Sequence, residues 1–105
     1  MNEPTVSDVF QLFLDECPRQ AAAWMQAVQQ LATATALDEK TAALAYLAVL
    51  AALRLESGVP FHVAHAKRAG ATREEVLGAV LIGLPAAGNG VIAALPAALR
   101  AYDAA

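Results

Sequence analysis

Two histidines, His62 and His65, lie three residues apart in the segment FHVAHAKRAG. Residues at this spacing share one face of a helix, so both imidazoles can point into one cavity. Such a pair can serve as an acid/base or ligand-binding pair, or it can bind a metal ion with a third ligand. Because Glu56 is the sole clear third candidate, we expect no metal site. The simplest alternative is structural, with the histidines making hydrogen bonds at a helix junction.

Three further polar residues lie close to this histidine pair along the chain. Arg54 and Glu56 follow a stretch without charged residues, and Tyr46 interrupts that stretch. Arg54 could bind the carboxylate of a ligand with Glu56 beside it, but a cation at a helix C-terminus is also favoured by the helix dipole. Tyr46 could line the same pocket or pack in a core or interface, where its hydroxyl needs a partner. We predict a ligand-binding role for Arg54, Glu56, His65 and Tyr46, in a pocket that these residues would share with His62.

Neither the cysteine nor the glycine-rich segment of the chain predicts a cofactor. Cys17 is the single cysteine, which excludes an intramolecular disulfide and a two-cysteine redox cycle within one chain. Two acidic residues precede it, and nearby negative charge disfavours the reactive thiolate. Gly88 and Gly90 resemble a phosphate-binding loop only superficially, since no strand precedes them and no lysine follows. We interpret them as turn glycines and expect no cofactor.

The composition favours packed helices and assembly with other copies of the chain. Hydrophobic residues make up 58% of the 105 residues, aromatic residues 6% and charged residues 16%. Soluble domains usually contain about 25% charged residues, so this chain has little charge with which to cover a monomer. We therefore predict a homo-oligomer. The net charge of −3 and the lack of a basic stripe argue against nucleic-acid binding.

Two apolar stretches are too short or too interrupted to predict a membrane span. Residues 42–53 are twelve apolar residues, fewer than the ~20 that cross a bilayer. Residues 76–99 carry no charge, but Pro85 and the Gly88-Asn89-Gly90 segment interrupt them. The acidic start MNEPTVSD is unlike a secretory signal. We expect no membrane association and a cytoplasmic location.

Helix-capping signals and the absence of strand-like alternation predict a single all-α domain of about six helices. Asp38 can cap one helix, and Thr72 with Glu75 fits a capping box at the start of another. The domain is predicted to span residues 1–105, with residues 1–17 as a helical extension. We predict helices over about nine residues after a Ser7 cap, 18–33, 39–55, 60–70, 73–84 and 91–102, with a turn over 85–90 and a bend at Pro96.

From Leu37 onward the sequence resembles the carboxymuconolactone decarboxylase and alkylhydroperoxidase D-like superfamily. The resemblance rests on LDEKT before an alanine-rich helix, then FHVAHAKRAGATREEV, a glycine-containing turn and a final helix. It implies an all-α domain that assembles into trimers or hexamers. It also singles out His62, because both branches of the superfamily keep a histidine at this position.

The same resemblance implies that the peroxidase chemistry of the superfamily is absent from this chain. With His62 aligned, the two cysteines of the CxxC motif fall at Leu55 and Gly58, and the proton-relay glutamate falls at Ala43. Peroxide reduction needs a thiolate and a resolving thiol. Two hypotheses stay open: a small-molecule-binding or assembly module, and a cysteine-independent, decarboxylase-like enzyme in which His62 acts on a small acid or lactone and Arg54 binds its carboxylate.

Overall fold

The computed structural model describes residues 8–104, and within them it contains helices and no strand, which confirms the predicted all-α fold. The Ser7 cap predicted for the first helix lies outside the described residues. No helix between residues 8 and 104 is long and apolar enough to span a membrane. The α-helices are α1 (Asp8–Glu16), α2 (Pro18–Ala34), α3 (Glu39–Ala52), α4 (Val59–Arg68), α5 (Arg73–Leu81), α6 (Leu84–Ala87) and α7 (Leu95–Ala104), and Glu56–Gly58 and Asn89–Ala94 are 3-10 segments.

The hydrophobic core lies between α3, α4, α5, α7 and the second 3-10 segment. Helix α3 supplies its centre, because Leu47 and Ala51 are fully buried there. The opposite face of α3 is different: Val49 remains 49% exposed. Helix α3 therefore contributes only one of its faces to the core. The largest other fully buried side chains of the core are Val59, Val63, Val76, Val80 and Val91.

Helices α1 and α2 form an arm, residues 8–34, on the outside of this core. Helix α1 contributes no buried side chain, and α2 contributes only Ala21. The two rings of Phe10 and Phe13 lie 6.1 Å apart on α1. Large apolar side chains such as Leu31 remain exposed on the arm. The arm is therefore peripheral, and it is held by few buried contacts.

The capping signals identified in the sequence form as predicted. The Asp38 carboxylate accepts a hydrogen bond from the backbone N–H of Thr41 at 2.8 Å. The Thr72 hydroxyl accepts from the Glu75 N–H, and the Glu75 carboxylate accepts in return from the Thr72 N–H, which completes the capping box. Lys40 donates to Glu75 at 2.9 Å and so connects α3 to α5. These hydrogen bonds lower the pKa of the Asp38 and Glu75 carboxyls.

Helix α3 ends at Ala52, three residues before the predicted end. Arg54 adopts a left-handed backbone conformation with φ of 61°. Its N–H bonds to the Ala51 carbonyl, and the Leu55 N–H bonds to the Leu50 carbonyl at 2.9 Å. This is the Schellman arrangement, which usually has glycine at the left-handed position. The predicted end was wrong here because arginine occupies the left-handed position, where glycine would have marked the helix end.

The last third of the chain contains more and shorter helical segments than the sequence predicted. Helix α5 ends at Leu81 rather than residue 84, and the predicted turn contains the four-residue helix α6 with Pro85 in its first turn. Gly88 then adopts φ of 82°, which a residue with a Cβ rarely does. Pro96 lies in the first turn of α7 and does not bend a longer helix. Proline is favoured at these positions because its missing N–H would have no helical partner.

Candidate functional site

A cleft of about 430 Å³ lies between the arm and the core helices α3 and α4. The arm forms one wall, and α3, α4 and the first 3-10 segment form the others. The volume falls within the range of ~300–1,000 Å³ that is typical of small-molecule sites. The cleft is lined by Phe10, Trp24, Met25, Val28, Tyr46, Leu50, Leu55, Ser57, Gly58, Phe61 and His62.

His62 lies half-buried in the first half of α4, between two aromatic rings. Its ring centroid is 4.4 Å from that of Tyr46 and 5.1 Å from that of Phe61. Burial lowers the pKa of His62, and repulsion from His65 lowers it further. The imidazole is therefore neutral at pH 7, where it offers one hydrogen-bond donor and one acceptor.

Three residues that line the cleft have polar side-chain groups without hydrogen-bond partners among residues 8–104. These groups are the hydroxyl of Tyr46, the hydroxyl of Ser57 and the imidazole of His62. Tyr46 and Ser57 are exposed and His62 is half-buried, and neither ring nitrogen of His62 is buried without a partner. An apolar cleft with a few convergent polar groups is the usual form of a small-molecule site. These groups are available to hydrogen-bond a bound molecule.

The structure brings Tyr46 together with His62, whereas the charged residues predicted for the site lie elsewhere. Arg54 donates to the Glu56 carboxylate at 3.2 Å, and a Cβ on Gly90 would lie 3.4 Å from the Arg54 side chain. Neither Arg54 nor Glu56 lines the cleft. A ligand-binding role for these two residues stays a prediction.

His65 also lies outside the cleft, although it shares α4 with His62. Its Nε2 lies 2.9 Å from a Glu39 carboxylate oxygen, at the start of α3. The spacing of the two histidines predicted that they share one face of the helix, but the His65 side chain contacts the start of α3 and does not line the cleft. Within the described residues no group of three or more histidine, cysteine or acidic side chains could hold a metal ion. The binding role predicted for His65 stays a prediction.

The positions that the superfamily resemblance assigns to peroxidase cysteines are both in the cleft. Leu55 and Gly58 line it together with His62. Ala43, at the position of the relay glutamate, lies in the hydrophobic core. Cys17 is half-buried between α1 and α2 and does not line the cleft. The cleft therefore coincides with the expected reaction site of the superfamily but contains no thiol.

Comparison with known proteins assigns the chain to a family. The model of the carboxymuconolactone decarboxylase family matches residues 18–103, from the start of α2 almost to the end of α7. The chain belongs to the carboxymuconolactone decarboxylase family. The resemblance inferred from the FHVAHAKRAGATREEV segment is thus confirmed. No curated protein and no solved structure gives a significant match.

Most walls of the cleft in this carboxymuconolactone decarboxylase family protein were missed by sequence reasoning. Trp24 and Val28 come from α2, in which the sequence indicated no site residue. Phe61 directly precedes His62, and this aromatic neighbour was a usable signal that was not used. Ser57 was interpreted only as part of a helix break. The arm residue Phe10 carried no signal, because its position in the cleft depends on tertiary packing.

The lowered pKa of His62 predicts a specific pH dependence of stability for this family member. The unfolded chain binds a proton at His62 below about pH 6.5, whereas the folded chain binds it only at lower pH. The free energy of unfolding should therefore fall as the pH drops from 7 through the folded pKa of His62. Urea unfolding between pH 5 and 7 measures this effect. A decline of the same size in His62→Gln would contradict the prediction.

Proposed function

We propose that this protein binds a small molecule in the cleft around His62 and has no thiol-based peroxidase activity. The observation that carries the proposal is the composition of the cleft. His62 is retained and faces the cleft, while Leu55 and Gly58 take the places of the reactive cysteines. The site thus combines a partly open apolar cleft with hydrogen-bonding groups, but it contains no thiol.

Filling the cleft tests this proposal. Val28 lines the cleft from α2, whereas Leu31, one helical turn further on, is 69% exposed and does not line it. The probe is 4-phenylbutan-1-ol, an uncharged alcohol with one aromatic ring. Val28→Phe should weaken its binding by about tenfold, because the added ring occupies the volume of the ligand. Leu31→Phe, the matched control, should leave binding unchanged. Both affinities can be measured by NMR titration. Equal affinities of the two variants would contradict the proposal.

The absence of peroxidase activity is a separate prediction. The wild-type protein is expected not to turn over hydroperoxides with a dithiol reductant, because Cys17 lies outside the cleft and has no second cysteine in the chain. An assay of hydroperoxide consumption checks this. Robust turnover that disappears in Cys17→Ser would show that the prediction is wrong.

A cysteine-independent acid/base enzyme is the second candidate function. It is favoured by a half-buried, neutral His62 whose ring has no hydrogen-bond partner among the described residues. It is disfavoured by the position of Arg54, which pairs with Glu56 outside the cleft. A decarboxylase needs a cation for the substrate carboxylate. We therefore place binding ahead of catalysis, and decarboxylation of lactone acids by the wild-type protein would reverse this order.

We also propose that the protein is a homo-oligomer, a trimer or a hexamer. The described residues expose several large apolar side chains, which would cost free energy in water. The cytoplasmic location inferred from the sequence stays a prediction. Among the most exposed large apolar side chains of the described residues are Val9, Leu12, Leu31, Leu53 and Ile82.

A further inference from the structure

The ligand of the cleft can be narrowed by its charge. Among the residues that line the cleft, none carries a formal charge. The nearest charged residues along the chain, Arg54 and Glu56, neutralise each other in an ion pair outside it. A carboxylate or an ammonium that entered would lose hydration without gaining a partner of opposite charge. An uncharged molecule would avoid this cost.

The aromatic content of the cleft indicates the shape of the ligand. The chain has three phenylalanines, one tryptophan and two tyrosines. Four of these six aromatic residues line the cleft, namely Phe10, Trp24, Tyr46 and Phe61. Aromatic rings pack well against other flat apolar groups in offset or edge-to-face geometries. This concentration of rings at one site favours a ligand with an aromatic body.

The polar groups of the cleft indicate the remaining part of the ligand. The hydroxyls of Tyr46 and Ser57 and the neutral ring of His62 can each donate or accept a hydrogen bond. A hydroxyl or carbonyl group matches them, because it exchanges neutral hydrogen bonds. At ~30 Å³ for each water molecule, the 430 Å³ cleft holds the equivalent of about fourteen waters. A ligand of about a dozen non-hydrogen atoms fits this space.

We infer that the cleft selects an uncharged aromatic molecule with one hydroxyl or carbonyl group, in preference to a carboxylate or an ammonium. This inference rests on the proposed binding function. The inferred ligand differs from the substrate of a lactone decarboxylase, because that substrate carries a carboxylate. The selection arises from what the cleft lacks, a charged partner, and from what it contains, aromatic walls with neutral hydrogen-bonding groups.

Three probes that share a phenylbutyl framework and differ in their polar end group test the inference. These are 4-phenylbutan-1-ol, 4-phenylbutanoate and 4-phenylbutylammonium, titrated into the wild-type protein at pH 7.5. Trp24 is the single tryptophan and lines the cleft, so its indole N–H gives one assignable NMR signal. Affinities in the millimolar range are expected for about eleven non-hydrogen atoms. We expect the alcohol to bind at least tenfold more tightly than either charged probe.

The outcomes separate this inference from the proposed function. If a charged probe binds as tightly as the alcohol, selection for an uncharged ligand is wrong while the binding function stands. If no probe gives a saturable shift of the indole signal, both are wrong. Ser57→Lys provides the missing cation, and it should raise the affinity for 4-phenylbutanoate relative to the alcohol by about tenfold. An unchanged ratio in a folded Ser57→Lys variant would overturn the electrostatic explanation.

Discussion

Leu47→Glu is expected to unfold the protein, whereas Val49→Glu, on the same helix, is expected to leave the subunit folded and dissociate the oligomer. Leu47 is fully buried in the core, and Val49 is 49% exposed on the other face of α3. A carboxylate in the core finds no partner and costs several kcal/mol, against a total stability of about 5–15 kcal/mol. At Val49 the new charge stays hydrated in the free subunit but opposes an apolar interface.

Circular dichroism and light scattering measure the two effects. The wild-type mass should be three or six times the 10.9 kDa of one chain. Val49→Glu should keep the helical spectrum but give the mass of one chain, and Leu47→Glu should lose the spectrum. Gln29→Glu, which adds the same charge on the polar side of α2, is the control and should keep the wild-type mass. A monomeric wild-type protein would contradict the proposed assembly. A folded Leu47→Glu variant would contradict the burial of Leu47 in the core.

His62→Ala is expected to weaken binding of 4-phenylbutan-1-ol by about tenfold or more, whereas His65→Ala should change it by less than twofold. His62 contacts the Tyr46 ring and faces the cleft, so its removal deletes both a wall and a hydrogen-bonding group. His65 contacts Glu39 outside the cleft. Its loss removes one exposed hydrogen bond, which has a small energetic value.

NMR titration of the Trp24 indole signal gives both affinities. Thermal unfolding of the two variants provides the control, because a loss of binding is informative only if the variant stays folded. His62→Gln retains hydrogen-bonding capacity and should recover part of the affinity that His62→Ala loses. Equal and negligible effects of both histidine substitutions would remove His62 from the site.

The helix starts were predictable because they depend on local chemistry. Asp38 and the Thr72–Glu75 capping box act within one helical turn, so a short sequence contains the whole signal. The end of α4 was marked in the same way, since Gly70 takes the left-handed position with φ of 101°. The end of α3 was not marked by a glycine, because Arg54 occupies the equivalent left-handed position.

The candidate site was predictable only in part. His62 was found through its family motif, and Tyr46 was found as a polar group in an apolar helix. The turn at the end of α3 decides where Arg54 points, toward Glu56 and Gly90 instead of the cleft. The aromatic walls contributed by the arm depend on how α1 and α2 lie against the core. Such long-range placement leaves no periodic pattern in the sequence.

Direct contact between a bound molecule and His62 is the central claim, and intermolecular nuclear Overhauser effects test it most directly. With the protein saturated by 4-phenylbutan-1-ol, cross-peaks are predicted from the phenyl protons to the ring protons of His62 and Trp24. Ile82 is 71% exposed and does not line the cleft, so it should show none. Saturable binding with cross-peaks to Ile82 and none to His62 would contradict the assignment of the cleft as the binding site.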